Sequence, residues 1–442
     1  MVKAITELLG EKQFAKAREM LCELDPADIA SVLGDLNERA LLVSFRLLPN
    51  DLAAQTFVEL DSDLQSALIA SFSDSELKEV VDELYVDDAV DLIEEMPANV
   101  VRRILAQADG EMRQSINEIL KYPSDSAGSL MTTEFVSLHS GITVADAFSA
   151  IRRRAIDKET VYNCYVRDDE SRLIGVVTVK DLLIADPDDE INSIMQTNII
   201  CAGTLEDKEE VAQKFSHYDL LALPVVDSER RLVGIVTVDD AIDVLEEEAT
   251  EDIEMMAAIT PTDKPYMKTG VFETWFKRVP WLLILMISAT FTSIIITKYE
   301  AALTAFGLAA FMPMLMDTGG NAGGQASATI IRGLSIGEIR PRDWFRIVWK
   351  EIRVAVLCGV TMSVATFCKL MLIDRPELSV ALVVSATLLL GVIVAKVVGC
   401  TMPILAKMVG LDPAVMASPF ITTVVDVISL MIYFNIASAA LA

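Results

Sequence analysis

The chain has 442 residues, of which 52% are hydrophobic, and a formal net charge of −28 at pH 7. The charge is unevenly placed: residues 1–280 carry 56 acidic and 26 basic residues, whereas residues 281–442 carry 9 acidic and 11 basic residues. A first half this acidic argues against nucleic acid or an anionic membrane surface as its partner and leaves cations. The six cysteines form no CxxC pair and the two histidines lie far apart, which argues against a zinc site and a disulfide framework.

The first 120 residues repeat a pattern of twelve positions. Each unit opens with an apolar residue and a polar cluster typical of a helix start, and its tenth position is apolar again. The opening residues are Leu24, Leu36, Leu48, Leu60, Phe72, Leu84 and Met96, and the tenth positions are Leu33, Phe45, Phe57, Ile69, Val81, Ile93 and Leu105. The pattern predicts short helices stacked into a superhelix, with an irregular helical bundle as the alternative. We predict an acidic helical repeat domain over residues 1–125.

Residues 126–244 contain a second repeat. LIGVVTVKDLL, Leu173–Leu183, and LVGIVTVDDAI, Leu232–Ile242, agree at six of eleven positions, and each predicts a strand that enters a helix. The pair resembles tandem CBS domains, an α/β module whose Gly-x-x-Thr-x-x-Asp turn can hold ATP or another adenine nucleotide at a helix N-terminus. The resemblance implies Thr178, Asp181 and Thr237 as candidate nucleotide ligands. Many such pairs bind no nucleotide, so both outcomes stay open.

An acidic segment, Asp239–Glu254, follows the repeat. Nine of its sixteen residues are acidic and none is basic. An apolar stripe at spacings of three and four predicts a helix with one packed face; its members are Ile242, Leu245, Ala249, Ile253 and Met256. Like charges one turn apart destabilise a helix, and a divalent cation held between them would reverse that effect. A solvated face on an ordinary linker helix is the alternative. We predict an acidic connecting helix and linker over residues 245–275.

The remainder, residues 276–442, predicts a five-helix transmembrane domain. Its five apolar stretches are Val279–Thr297, Ala301–Met316, Val354–Ile373, Leu378–Val398 and Pro413–Ala442. Basic residues precede the first stretch and crowd the loop after the second, and the N-terminus is polar without the apolar core of a secretory signal. We therefore expect a multi-pass protein of the cell (inner) membrane, with cytoplasmic N-terminal domains and the C-terminus outside.

Two polar features lie within the apolar stretches. The run MPMLMDTGGNAGGQ contains Pro313 and four glycines, which predict a break in regular helix and a close approach of backbones, while Asn321 adds an amide oxygen. In the last stretch Asp426 shares a helix face with Thr422, Thr423 and Ser429. This oxygen-lined face without a paired cation suits a hard ion. Mg²⁺, which is held through few carboxylates and keeps water, fits it well, and sodium or protons remain open.

The whole arrangement resembles the MgtE family of magnesium channels and transporters, most specifically in TGGNAGGQ, Thr318–Gln325, and DPAVMASPFITTVVD, Asp412–Asp426. The resemblance implies a homodimer in membrane lipid with a pore on its two-fold axis, Asp426 as the ion-binding residue, and the connecting helix as a plug. Expected pore-lining residues are Asn321, Ser418, Thr422 and Thr423. Two departures stand out: some members carry Asn at the position of Ser418, and Asp317 occupies a position where a small residue is common.

The resemblance also implies how the acidic surfaces act. When cytosolic Mg²⁺ is high, ions would bridge carboxylates of the helical domain, the CBS pair and the plug, and would close the pore by binding the closed state more tightly. The helical-domain acids are Asp87, Asp88 and Asp91, the CBS and plug acids are Asp207, Glu209, Asp219, Asp240 and Asp243, and the acids expected near the pore mouth are Glu248, Glu251, Asp252 and Asp412.

Two other classes of protein compete with this interpretation of the sequence. One is a CBS-regulated transporter of another divalent cation, or a Na⁺- or H⁺-coupled carrier in which Asp426 is the coupling site. Against a coupled carrier, the sequence shows no symmetric half and no second intramembrane aspartate, and Lys369 and Lys396 lie near span ends where they can snorkel. The other is an enzyme, which is disfavoured because no nucleophile with a base, no catalytic metal cluster and no Walker glycine loop is present.

Overall fold

The computed structural model describes residues 1–154, 158–262, 266–267, 269–299, 307–416 and 418–441. Its contacts divide the chain into two compact units, Met1–Val244 and Leu245–Ala442. The fold is that of a multidomain membrane protein: a helical repeat region, two small α/β domains, an acidic helix and a bundle of long apolar helices.

The first unit begins with ten short helices. They are α1 (Val2–Gly10), α2 (Phe14–Cys22), α3 (Pro26–Gly34), α4 (Glu38–Phe45), α5 (Asn50–Val58), α6 (Ser62–Ser71), α7 (Asp74–Val81), α8 (Val86–Glu95), α9 (Ala98–Gln107) and α10 (Gly110–Ile119). The polar clusters start helices as predicted, because their side chains or prolines suit a first turn. Ser73 and Glu76 form a capping box at α7, and Pro26 occupies the first turn of α3.

The stacked arrangement is confirmed by the contacts between helices. α3 packs against α5, α5 against α7 and α7 against α9, so helices two apart in sequence are neighbours in space. The tenth positions from Leu33 to Ile93 are buried. The last unit differs from the prediction: Ile104 is fully buried and Leu105 only half-buried. α9 packs against both α6 and α7, and this placement turns Ile104 inward.

Two similar three-stranded sheets follow. The first contains β1 (Phe135–His139), β2 (Thr160–Arg167) and β3 (Leu173–Thr178), with helices α11 (Val144–Arg154), α12 (Val179–Ile184) and α13 (Ile191–Ile194). The second contains β4 (Ala202–Gly203), β5 (Ala222–Val226) and β6 (Leu232–Thr237), with α14 (Lys208–Tyr218) between β4 and β5. In each sheet the first pair of strands is parallel and the second is antiparallel. The strands predicted from the repeat are β3 and β6, which are confirmed.

The acidic helix is α15 (Val238–Met256), and the described residues of the second unit continue with five long helices. These are α16 (Val271–Lys298), α17 (Met312–Ser335), α18 (Trp344–Lys369), α19 (Leu378–Met408) and α20 (Ser418–Leu441). α17 packs against both α19 and α20, while α18 lies against α19 and α16 against α20. Among the described residues, four segments are long and apolar enough to cross a membrane: Val271–Lys298, Pro341–Asp374, Leu378–Met408 and Pro413–Ala440.

The second predicted span, Ala301–Met316, is corrected by the structure. Residues 301–306 lie outside the described residues, Leu308–Phe311 is a turn of 3₁₀ helix, and α17 begins only at Met312. Pro313 fits this start because the first turn of a helix has no use for its missing N–H. The helix found here, α17 (Met312–Ser335), therefore starts and ends well after the predicted span Ala301–Met316.

The predicted break at the glycines is wrong, and the predicted close approach of backbones is confirmed. α17 is continuous through all four glycines, since Pro313 lies at its start instead of its interior. A Cβ atom on Gly399 of α19 would lie 2.2 Å from the carbonyl oxygen of Gly323. Small residues thus bring α17 and α19 into backbone contact, as in other membrane helix pairs.

Lys396 was expected to snorkel near a span end, and the structure corrects this. Lys396 is only 6% exposed. The Nζ atom lies 3.8 Å from Oε2 of Glu351, so an ion pair joins α19 to α18 inside the bundle. A buried charge of this kind is tolerated because it is paired. Lys369, by contrast, is half-exposed at the end of α18 and pairs with Asp374.

Candidate cation sites

Three carboxylates of the first unit meet at one point. Oxygens of Asp87, Glu159 and Asp240 all lie within 4.8 Å of one another. Asp87 is in the first turn of α8, Glu159 immediately precedes β2, and Asp240 is in the first turn of α15. The predicted approach of Asp87 to Asp240 is thus present in the structure, and Glu159 is a third member that sequence reasoning missed.

The charge of this acidic cluster, Asp87, Glu159 and Asp240, is poorly compensated. Burial, followed by repulsion from Glu159 and Asp240, raises the pKa of Asp87 well above its ordinary value. Burial is also the main cause that raises the pKa of Glu159 to about 7 and that of Asp240 to about 6. A divalent cation would relieve both the repulsion and the incomplete solvation.

Asp88 and Asp91 extend the negative region along α8. Burial and then repulsion from Asp240 raise the pKa of each to about 7. A cavity of about 650 Å³ opens beside them. The acidic residues in its lining are Asp51, Glu59, Asp82, Glu83, Asp87, Asp88, Glu134, Glu159, Asp239 and Asp240. The cavity therefore offers oxygen ligands and space for hydrated cations.

The structure does not bring every predicted acid to this cavity. Asp207 caps α14 by accepting a hydrogen bond from the Glu209 backbone N–H at 2.9 Å, and Asp219 follows the other end of that helix. Among the described residues that line the cavity, none comes from α14. Asp243 lies one turn beyond Asp240 on α15 and adds to the negative charge around it. Asp207, Glu209 and Asp219 thus lie at the ends of α14 and not in the cavity lining. Their spacing in the sequence did not separate them from the acids that do line the cavity.

The two predicted nucleotide turns are closed by their own residues. The Thr178 hydroxyl donates to Asp181 Oδ2 at 2.7 Å, and the two residues form a capping box at α12. In the second turn the Thr237 hydroxyl donates to Asp240 Oδ2 at 2.5 Å. Asp240 therefore belongs both to this turn and to the acidic cluster. Tyr162 is 67% exposed, which leaves an aromatic face open beside the cavity that it lines.

In the second unit, Asp252 of α15 lies near the C-terminal end of α17 and the segment that follows α19. Burial raises its pKa, a hydrogen bond with Ser335 opposes the rise, and Asp412 adds repulsion while Arg332 and Lys407 add attraction. The approach of the connecting helix to Asp412 that the sequence led us to expect is thus found for Asp252. Asp412 itself accepts a hydrogen bond from the Ala414 N–H at 2.7 Å.

The packed face of α15 differs from the predicted apolar stripe. Ile242 and Ile253 are 50% and 68% exposed. Met256 of the predicted stripe packs against Ile331 and Ala414, and so does Met255, which was not part of the stripe. Along the partly covered face are Leu245, Glu248, Ala249 and Asp252, while Glu251 is exposed. Acids thus share the covered face with apolar residues, which a hydropathy pattern alone does not reveal.

Asp426 lies in α20 where that helix crosses α17. One carboxylate oxygen, Oδ1, is buried and has no hydrogen-bond partner among the described residues. Thr422 contacts Gly320, since a Cβ atom there would lie 2.8 Å from its methyl group. The Thr423 hydroxyl donates to the Pro419 carbonyl at 3.0 Å, which leaves its oxygen as an acceptor only. The side chain of Ser418 lies outside the described residues.

A polar stripe runs along an exposed face of α17, beside the face that contains the packed glycines. Asp317, Asn321 and Gln325 are all exposed and lie four residues apart, so they share one face of the helix. The predicted pore-lining position of Asn321 is consistent with this placement. Asp317 is one residue beyond the second predicted stretch, Ala301–Met316, and in the structure it lies in the second turn of α17. Gly319, two residues after Asp317, lies against Val425 and Ser429, which are on either side of Asp426 in α20.

An acidic cavity on a helical repeat and CBS-like pair, together with an unpartnered carboxylate in a bundle of membrane helices, defines a membrane protein that handles cations. Comparison with known proteins gives the family. The MgtE profile, described as a divalent cation transporter, matches residues 312–436. The MgtE intracellular N domain profile matches residues 24–125, and CBS domain profiles match residues 127–188 and 191–247.

The matches to curated relatives extend over nearly the whole chain. The magnesium transporter MgtE of Thermus thermophilus is 38% identical over 439 residues, which cover 98% of this chain and 97% of that protein. The Bacillus subtilis magnesium transporter MgtE is 32% identical over 444 residues, 99% of this chain and 97% of that protein. This chain belongs to the MgtE family, so the resemblance predicted from its motifs is confirmed. The family consists of transporters, which excludes the enzyme alternative.

Solved structures match the first unit. The cytosolic domain of the Mg²⁺ channel MgtE in complex with ATP is 36% identical, with a TM-score of 0.53, and the match covers 55% of this chain and 100% of that one. The soluble part of a magnesium transporter is 33% identical, with a TM-score of 0.52, and covers 56% of this chain and 98% of that one. The helical repeat and CBS arrangement is therefore shared with these proteins.

Proposed function

We propose that this protein conducts Mg²⁺ into the cell through a pore that contains Asp426. The observation that carries the proposal is the buried, unpartnered Oδ1 of Asp426 within a bundle of membrane-length helices. A carboxylate at the centre of a membrane helix costs about 2.5–3.5 kcal/mol even on translocon-insertion scales, so it needs a partner of opposite charge. A cation in transit meets that need. The names of the relatives identify the cation as Mg²⁺.

The pore is proposed to lie on the axis of a homodimer. Within one protomer, the stripe of Asp317, Asn321 and Gln325 is exposed. Such groups do not face lipid, because bilayer hydrocarbon offers no hydrogen-bonding partner. Placing the stripe of a second copy opposite the first produces a polar path enclosed by protein, and a two-fold axis places two copies of Asp426 on that path.

The orientation follows from charge. The loop between α17 and α18 is rich in basic residues, which places it in the cytoplasm under the positive-inside rule. The first unit and α15 are then cytoplasmic, and the C-terminus after α20 is outside the cell (inner) membrane. This orientation also places Asp252 and Asp412 at the cytosolic mouth.

Gating by cytosolic Mg²⁺ is proposed from the acidic cluster and from Asp252. Cations held among Asp87, Glu159 and Asp240 would stabilise the compact arrangement of the first unit, and cations near Asp252 and Asp412 would hold α15 at the mouth. Loss of these ions leaves like charges in contact, so the closed state weakens when cytosolic Mg²⁺ falls. Neutralising a few of these acids is therefore expected to leave a pore that internal Mg²⁺ no longer closes.

We propose, second, that the CBS pair binds an adenine nucleotide. The ATP complex of a similar cytosolic domain favours this proposal. Tyr162 and Thr237 both line the acidic cavity, where an aromatic face and a helix N-terminus lie together. Because Asp240 is part of the same cavity, nucleotide and Mg²⁺ would influence each other's binding. Calorimetric titration of ATP with and without Mg²⁺, on native protein and on Thr237→Ala, tests this.

Mg²⁺ flux into liposomes that contain the purified protein tests the main proposal. We expect Asp426→Asn to abolish flux, and the triple variant Glu248→Gln, Glu251→Gln and Asp252→Asn to conduct without inhibition by internal Mg²⁺. Asp188→Asn is the matched control, since it removes one charge from an exposed loop position. Flux of Mn²⁺, Co²⁺ or Ca²⁺ in preference to Mg²⁺ would favour another divalent cation, and flux that requires a Na⁺ or H⁺ gradient would favour a coupled carrier.

A further inference from the structure

The proposed pore contains Asp426, and its presence does not account for a second charged residue, Asp317, on the exposed face of α17. It lies five residues after the start of α17 and is exposed. Its neighbours Met312 and Leu315 pack in one core cluster with Leu430 and Tyr433 of α20, so this part of α17 lies inside the membrane bundle. A carboxylate at that depth faces water or protein, because lipid provides no compensation for its charge.

The geometry of α17 leaves Asp317 exposed at the side of the face that packs in the bundle. Gly319, Gly320 and Gly323 form the face that presses against α19 and α20. Asp317 is exposed and shares with Asn321 a face that lies beside this packed face. This is the face on which the proposed pore axis lies, so Asp317 and Asn321 follow one another along the ion path.

Asp317 lies near the level of Asp426. A Cβ atom on Gly319 would lie 3.1 Å from both Ser429 and Val425, the residues that flank Asp426 along α20. The two helices are therefore in contact at this level, and Asp317 is two residues further toward the start of α17. Oδ1 of Asp426 is buried and has no hydrogen-bond partner in the part of the chain that the structure describes. Two such carboxylates favour a cation held between them.

We propose that Asp317 supplies a second carboxylate to the transported cation, on the outer side of Asp426. The inference rests on the proposed Mg²⁺ conduction. Each chain then contributes two acids to the path, and a dimer contributes four. Additional negative charge raises the affinity of the pore for divalent cations over monovalent ones, because the attraction scales with the charge of the ion. Asp317 is accordingly a selectivity-determining residue of this chain.

The test compares transport by the full chain in liposomes with that of Asp317→Asn, over a range of external Mg²⁺ and in competition with Na⁺. The amide keeps the size of the side chain and removes its charge. We expect the external Mg²⁺ that gives half-maximal flux to rise about tenfold, with flux at saturating Mg²⁺ retained, and Na⁺ permeation to increase. Asp317→Glu, which keeps the charge, is expected to stay close to the native protein.

Two further variants separate this inference from the proposed function. Glu377→Gln removes one exposed charge at the start of α19, and it controls for general surface potential. Asp426→Asn tests conduction itself. If native protein conducts and Asp426→Asn does not, while Asp317→Asn matches Glu377→Gln in Mg²⁺ dependence, the role of Asp317 is refuted and conduction stands. If native protein moves no Mg²⁺, the proposed function fails first. Asp317→Ser repeats the comparison if the amide variant does not assemble.

Discussion

Neutralising Asp240 should stabilise the metal-free first unit, because this single residue repels Asp87, Asp88, Asp91 and Glu159. The pKa of Asp240 is itself raised from 3.8 to about 6, mainly by burial. This difference in pKa corresponds to about 3 kcal/mol of unfavourable free energy in the charged folded form. Asp240→Asn removes that cost, and we expect the Tm of a soluble fragment, residues 1–256, to increase by about 6–12 °C at pH 8 without divalent cations.

The dependence on pH has a defined sign. A carboxyl group whose pKa is higher in the folded than in the unfolded state stabilises the fold at low pH, and this stability is lost as pH rises through the folded pKa. Asp88 and Asp91, with pKa values of about 7, therefore predict a Tm that falls between pH 5 and pH 8 in chelator. Mg²⁺ should restore more stability at pH 8 than at pH 5.

Differential scanning fluorimetry of the fragment, with and without Mg²⁺, makes both measurements. Asp188→Asn is the matched control, because it lies in an exposed loop and removes the same charge. A metal-free Tm that does not change from pH 5 to pH 8 would contradict the expected repulsion among these carboxylates. A lower Tm for Asp240→Asn than for Asp188→Asn at pH 8 would refute it as well.

Other substitutions test the packing of each unit by thermal unfolding in detergent or solution. Gly399→Ala places a methyl group against a backbone oxygen and should lower the Tm strongly, whereas Gly391→Ala meets only an ordinary contact at 3.6 Å and should be tolerated. Lys396→Met leaves Glu351 buried without its partner and should cost about 3–5 kcal/mol, and the double variant Lys396→Met with Glu351→Leu should recover most of it. Ser73→Ala removes the capping box of α7 and should cost about 1 kcal/mol. Equal Tm values for the two glycine variants, or no recovery in the double lysine variant, would contradict these accounts.

Local sequence patterns predicted the helical repeat well. Asn37 and Ser73 accept capping hydrogen bonds at the starts that polar clusters marked, because a cap is made by residues only three positions apart. The burial of Ile104 in place of Leu105 was not predictable in the same way. It depends on how α9 meets two other helices, and that information is absent from the twelve-residue period.

The acidic sites were only partly predictable. Charge density pointed to Asp87 and Asp240, and their approach across sequence was expected from the family resemblance. Glu159 gave no signal, since it is a single acid before a strand and joins the acidic cluster only through the tertiary fold. Asp207 and Asp219 looked equivalent to the others by composition, but they occupy opposite ends of α14.

The sequence by itself determined the order of the domains, the family and the central aspartate of the last helix. These follow from periodicity, hydropathy and two specific motifs, all of which are properties of neighbouring residues. Only the tertiary structure decided that α17 is unbroken, that Lys396 is paired inside the bundle, and that α17 meets α20 beside Asp426. Each of these outcomes depends on which helices lie side by side, because burial and charge pairing are set by neighbours that are distant in the chain.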